Sequence, residues 1–107
     1  MNFPSDKEIK QWRYEDFVTA TSSEYMLRQL AEECCELSQA ALKAIRAHNR
    51  ETPVPLKEAT DNLIEEMADV QLMLDVVRFG VYPHRNFDIA KIYSAKWHRF
   101  KDRVLKP

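Results

Sequence analysis

Residues 30–40 read LAEECCELSQA, and residues 62–74 read NLIEEMADVQLML. Each stretch carries an acidic cluster on an otherwise apolar background: Glu32, Glu33 and Glu36 in the first, Glu65, Glu66 and Asp69 in the second. Residues three apart on a helix are neighbours. Glu33 with Glu36 therefore makes one oxygen-rich patch, and Glu66 with Asp69 makes another. With Val70 at the centre of its helix face, Glu66 falls about 40° away, inside the apolar stripe, and Asp69 about 100° away, at its edge. With Cys34 at the centre of the earlier helix, Glu33 sits about 100° off and Glu36 about 160° off. A carboxylate facing a core must be protonated, paired or bound to a cation. If the two patches face each other, four carboxylates converge and repel. A hard cation with oxygen ligands, Mg²⁺ or Mn²⁺, resolves that repulsion. The plainer reading is a solvated acidic face with Lys or Arg partners, which suits Glu32 and Glu65 but suits Glu66 poorly. A di-iron centre fits less well, because it pairs Glu with His at Glu-x-x-His spacing, and His48, His84 and His98 lie elsewhere.

These carboxylates need rigid elements to hold them. Residues 6–19 are expected to form a short helix with Ile9, Trp12 and Phe17 pointing inward. Thr21 followed three residues later by Glu24 has the form of a capping box, so a second helix is expected over about 22–48. Its apolar face reads Leu27, Leu30, Cys34, Leu37, Ala41 and Ile45. Pro53 and Pro55 break the helix and favour an extended connector. A third helix starts near Leu56 or Thr60 and runs to about Phe79, with Ala59, Leu63, Met67, Val70, Leu74 and Val77 as its main stripe. Gly80 is expected just past its end. Asn86 is the expected cap of a fourth helix, where Ile89, Ile92, Trp97, Phe100 and Val104 supply apolar contacts. The expected fold class is all-α: one domain over residues 1–107, a helical bundle of three main helices plus a short leading one. Leu72 and Val76 lie off the main stripe of the third helix. A helix apolar on more than one side is covered on more than one side, which predicts a homo-oligomer, unless the N-terminal segment supplies the cover.

Composition narrows the function. The 107 residues are 45% hydrophobic and 31% charged, with net charge −1, which gives no electrostatic footprint for nucleic acid or an anionic membrane surface. Gly80 is the one glycine, so a Gly-rich phosphate loop is excluded. No apolar run approaches the roughly 18 residues of a membrane span, and the opening MNFPSDKEIK lacks the apolar core of a secretory signal. Cys34 and Cys35 are adjacent, so their side chains point about 100° apart on a helix. They are read as small buried side chains in a reducing cytoplasm.

The pair EECCE and EEMAD resembles the motifs E-E-x-x-E and E-x-x-D of the all-α nucleoside triphosphate pyrophosphohydrolase superfamily, in particular its small single-domain MazG-like members. The similarity spans about residues 20–105. It implies a dimeric or tetrameric helical core with Mg²⁺ between the acidic helices. It implies hydrolysis of a nucleoside triphosphate to the monophosphate and pyrophosphate, as house-cleaning of nucleotide pools. Glu33, Glu36, Glu66 and Asp69 match the metal ligands, Glu32 and Glu65 the accessory acidic positions, and Glu33 or Glu36 is the expected water-activating carboxylate. Lys91, Lys96 and Arg99, with Arg103, share a face of the last helix. They are either phosphate contacts, as the resemblance implies, or a solvated basic face suited to a helix C-terminus. Trp12, Phe17 and Tyr25 are either base-stacking or core residues. The reading from a different class is a non-catalytic helical bundle that serves as an interaction module.

Overall fold

In the computed structural model, which describes Ser5 and residues 13–106, every regular element among the described residues is helical. The chain runs through α1 (Tyr14–Ala20), α2 (Ser23–His48), α3 (Leu56–Val76), a π-helical turn (Val77–Val81), a 3₁₀ turn (Pro83–Arg85) and α4 (Asn86–Val104). The expected all-α class is what the structure has. Ile9 and Trp12 lie outside the described residues. No helix is long and apolar enough to cross a membrane among those residues.

The start of α2 differs from the capping-box expectation by one residue. Ser22 is the cap, its hydroxyl accepting a hydrogen bond from the Tyr25 amide at 2.9 Å. The Thr21 hydroxyl instead donates back to the Phe17 carbonyl at 2.8 Å and closes α1. Two hydroxyl residues in succession serve two helix ends. At the far end of α2, Glu51 donates its amide to the Arg46 carbonyl and Arg50 donates to Ala47. This is a Schellman closure, with Arg50 in the left-handed conformation (φ 58°). Pro55, extended at φ −60° and ψ 144°, then precedes the first turn of α3.

α2 and α3 form the central antiparallel hairpin. Met26 near the start of α2 packs with Val76 and Val77 at the end of α3, and Tyr14, Val18, Leu30, Met73 and Val81 close around them. Farther along the hairpin the buried residues are Ala40, Ala47 and Ala59. The inward face of α2 is thus Met26, Leu30, Glu33, Leu37, Ala40 and Ala47, spaced by threes and fours. It is rotated roughly 75° from the expected stripe. Leu27, Cys34 and Ile45 are exposed, and so is Cys35. The cysteines are not the buried side chains their type suggests. α2 carries two apolar stripes, and α3 packs on the one that holds the buried Ala40 and Ala47. Ala59 and Val70 on α3, and Val77 just past its end, are buried as expected, but Met67 and Leu74 are exposed. Val76, read as part of a second face, is buried within the chain, whereas Leu72 is exposed.

Gly80 does not cap α3. It lies inside the π turn with no positive φ. Its role is close approach: a β-carbon there would sit 2.8 Å from Val18 Cγ2 and 2.9 Å from the Tyr14 carbonyl oxygen. The backbone of α1 cannot yield as a flexible side chain would. Gly80→Ala is expected to lower stability by about 1–3 kcal/mol, the usual range for overpacking, in thermal or urea melts. An unchanged or higher melting temperature would contradict this contact. Asn86 is likewise not a cap. It is the first residue of α4, and its Oδ1 accepts from Arg78 Nε at 2.6 Å. The Arg78 guanidinium also lies 5.0 Å from the centre of the Phe79 ring, which in turn packs on Tyr14 at 5.4 Å. The π turn thereby ties α1 to the start of α4.

α4 itself has no buried residue, and its main tertiary contact is with the 3₁₀ turn. Phe87, Ile92, Tyr93, Trp97, Phe100 and Val104 are all exposed. Within a single chain α4 does not join a bundle with α2 and α3. The Cα radius of gyration is 17.3 Å, against about 13 Å for a compact chain of this length.

Candidate metal centre

The centre lies halfway along the α2–α3 hairpin, where the inward faces of both helices carry a glutamate instead of an apolar residue. Glu33 stands between Leu30 and Leu37 on α2, and Glu66 between Leu63 and Val70 on α3. Asp69, three residues after Glu66, lies beside it on the same helix. Carboxylate oxygens of Glu33, Glu66 and Asp69 all lie within 4.8 Å of one another, and all three residues are partly buried. One oxygen each of Glu33 and Glu66 is buried with no hydrogen-bond partner. Buried polar atoms are ordinarily satisfied, so two orphaned carboxylate oxygens within one acidic cluster suit a ligand.

The electrostatics agree. Burial raises the pKa of Glu33, and the nearby Glu36, Asp69 and Glu66 carboxylates raise it further. Glu66 is raised in the same way, first by burial, then by Glu36 and Asp69, with a smaller contribution from Glu65. Among the described residues no cation offsets them. The ion pairs among the described residues are Arg13–Glu15, Arg28–Glu24, Lys57–Asp61 and Arg85–Asp88, all remote from the cluster. An all-carboxylate donor set with unsatisfied oxygens suits a hard divalent cation. The residues present therefore fit Mg²⁺ or Mn²⁺.

The other acidic positions take distinct places. Glu36 is exposed and outside the triad, yet its charge is felt by both Glu33 and Glu66. Glu32 is exposed and accepts from Gln29 Nε2 at 3.4 Å. Glu65 is exposed and lines a depression with Lys43, Glu58 and Asn62. Lys91, Lys96 and Arg99 stand exposed on α4, and no hydrogen bond or ion pair among the described residues joins them to the carboxylates. Lys96 and Arg99 instead border a shallow groove with Phe100 and Arg103, whose guanidinium is 5.5 Å from the Phe100 ring centre.

One feature escaped the sequence reading. An apolar cavity lined by Tyr14, Phe17, Tyr25, Gln29, Leu72 and Met73 lies one helical turn from the triad. Gln29 is four residues before Glu33, and Met73 is four residues after Asp69. Phe17 and Tyr25 are exposed at its wall rather than packed into the core. The signal that could have found it is Leu72, an apolar side chain away from the α2 contact.

Comparison of the chain with protein-family models, curated proteins and solved structures gives no match. The functional reading therefore rests on the chain's own residues and on the resemblance of its two acidic motifs.

Proposed function

We propose that this chain is a Mg²⁺-dependent nucleoside triphosphate pyrophosphohydrolase of the MazG-like type, working as a homodimer or homotetramer in the cytoplasm. The observation that carries the reading is the convergence of Glu33, Glu66 and Asp69, with two orphaned oxygens and, among the described residues, no cationic side chain paired to them. Bound Mg²⁺ or Mn²⁺ would neutralise triphosphate charge and acidify a water molecule. Glu33, Glu66 and Asp69 would hold the ion. Glu33 or Glu36, the latter close but outside the triad, would orient a water or take its proton. Glu32 and Glu65 flank the site and add negative potential that favours a cation. The adjoining cavity offers aromatic and apolar walls to a base, with Gln29 as a hydrogen-bonding group. Lys91, Lys96 and Arg99 would have to reach phosphate from another subunit, since α4 stands away from the hairpin of its own chain.

The expected products are the nucleoside monophosphate and pyrophosphate. A panel of nucleoside triphosphates with Mg²⁺, assayed for pyrophosphate beside orthophosphate, tests this. Orthophosphate released without pyrophosphate from a phosphatase-free sample rejects the assignment. The second reading, a non-catalytic interaction module, is favoured by one observation, the exposed apolar side of α4. Under that reading the same panel shows no turnover.

A further inference from the structure

Three compartments lie along one edge of the α2–α3 hairpin. On α2, Tyr25, Gln29, Glu36 and Lys43 fall about 40–80° to one side of Glu33. On α3, Glu58, Asn62, Asp69 and Met73 fall about 20–80° from Glu66 in the same rotational sense. In an antiparallel pair of helices, rotations in the same sense share a side, so these residues border one groove. At one end Tyr25 and Gln29 meet Leu72 and Met73 around the apolar cavity. It holds about 410 Å³, within the roughly 300–1,000 Å³ of small-molecule sites. The acidic triad comes next. At the other end Lys43 shares a depression with Glu58, Asp61, Asn62 and Glu65. The groove thus runs from apolar walls, through the carboxylates, to a compartment that holds a lysine.

Lys43 is exposed, and no ion pair among the described residues engages it, although three carboxylates share its depression. Asp61 is taken instead by Lys57, at 2.6 Å. Lys43 follows Glu36 by seven residues, about 10 Å along the helix axis. Side chains on a helix lean toward its N-terminus, which on α2 is the direction of Glu36 and Glu33. The four-carbon stem of Lys43 therefore leads its ammonium back along the groove toward the triad. Glu58 and Glu65 outnumber Lys43, so a bare anion gains little here. A phosphate chain that carries Mg²⁺ gains more, because the metal bridges its oxygens and cancels part of its charge.

We propose that Lys43 binds the β- and γ-phosphates of the substrate within its own chain, with Asn62 beside it as a hydrogen-bonding group. The inference rests on the hydrolase reading and gives the nucleotide a direction. The base lies in the cavity of Tyr25, Gln29 and Leu72, the α-phosphate at the triad, and the terminal phosphates toward Lys43. The reverse direction would set an anionic chain against apolar walls, which is costly. The direction also selects the bond. The water oxygen bonds to the α-phosphorus as that atom's bond to the bridging oxygen breaks. The electron pair leaves with pyrophosphate, and the water's proton passes to Glu33 or Glu36. Charge builds on the leaving pyrophosphate, where Lys43 stands to offset it. This contact needs no basic residue of α4.

Calorimetry with inorganic pyrophosphate and Mg²⁺ tests the contact apart from turnover. Lys43→Ala is expected to weaken binding about tenfold or more, the scale of one lost hydrogen bond to a charged group. Lys43→Arg is expected to keep it, as is the control Arg46→Ala, exposed three residues further along α2. Mg²⁺ alone, and a nucleoside monophosphate with Mg²⁺, are expected to bind Lys43→Ala as they bind wild type, since neither carries a terminal phosphate. For a triphosphate that the wild type hydrolyses, Lys43→Ala is expected to lose on the order of a hundredfold in kcat/KM. Unchanged pyrophosphate affinity and kcat/KM in Lys43→Ala, beside an active wild type, overturn the role of Lys43 and leave the hydrolase reading standing. Loss of Mg²⁺ binding in the same variant also overturns it, by assigning Lys43 to the metal. A wild type that binds pyrophosphate through Lys43 yet hydrolyses no triphosphate overturns the hydrolase reading and keeps the phosphate site. A wild type that binds no pyrophosphate with Mg²⁺ overturns the phosphate site.

Discussion

Glu66→Gln is expected to abolish Mg²⁺-dependent turnover while leaving the metal-free protein as stable as wild type or more so. Glu66 stands on the inward stripe of α3, with one oxygen buried and unpaired and with Glu33 and Asp69 within 4.8 Å. Glutamine keeps the volume and removes the charge that would hold a hard cation. The loss in kcat/KM is expected to be on the order of a hundredfold or more, the scale for removing one group that stabilises transition-state charge. Without metal the same change relieves repulsion from Glu36 and Asp69. An ordinary structural ion pair predicts the opposite, because removing one partner leaves the other buried and uncompensated. The measurement is turnover with Mg²⁺ beside the melting temperature in chelator, for variant and wild type. A variant that melts well below wild type in chelator, or that keeps wild-type turnover, removes Glu66 from the site.

The second large effect is a reversal of pH dependence by metal. In the folded chain Glu33 and Glu66 hold their protons more tightly than ordinary glutamates, through burial first and the neighbouring carboxylates next. In the unfolded chain they titrate normally, near 4.5. A carboxyl raised in this way contributes stability that is complete below its unfolded value and is lost as pH rises through its folded value. Metal-free protein should therefore lose stability as pH rises from about 4.5 toward neutrality, more so than Glu66→Gln, which carries one such group fewer. The difference between the two proteins isolates these groups from every other titration. Mg²⁺ or Mn²⁺ binds only the deprotonated carboxylates, so its stabilisation grows over the same rise. At a hundredfold excess over Kd the gain is about 2.7 kcal/mol, a rise in melting temperature on the order of 10 °C for a domain of this size. Protein concentration must be held constant, because an oligomer's melting temperature depends on it. Coincident melting curves with metal and with chelator, together with no heat of binding by calorimetry, would dispose of the metal centre.

How far the sequence could be read differs by element. The helices were legible because their ends are local chemistry. Pro53 and Pro55 interrupt, Ser22 lies one residue from the expected cap, and the apolar periods are unambiguous in kind. Glu66 was legible because a carboxylate inside an apolar stripe is anomalous whatever packs against it. Glu33 was not placed correctly, because its position depends on which of two apolar stripes of α2 faces α3. Summed hydrophobicity favours Leu27 and Ile45. The stripe that packs on α3 is the one with Ala40 and Ala47, which puts Cys34 and Cys35 in solvent. Gly80 shows the same limit. A lone glycine after an apolar run suggests a cap, but only the approach of Tyr14 and Val18 from α1 reveals why a β-carbon is not tolerated there.

By itself, the sequence determined the helical class, the breaks between helices and the presence of two acidic turns on core-forming segments. All three follow from interactions within a few residues: hydrogen-bonding backbone geometry, caps, prolines and period. The tertiary structure alone decided that Glu33 faces Glu66 and Asp69, that Glu36 stands outside the triad and that Val76 is covered within the chain. It alone decided that α4 and the second stripe of α2 are left bare. Those outcomes depend on how closely two helices approach and on the rotation of each about its own axis. The free energy of that choice is spread over contacts distant in sequence, which no local pattern records.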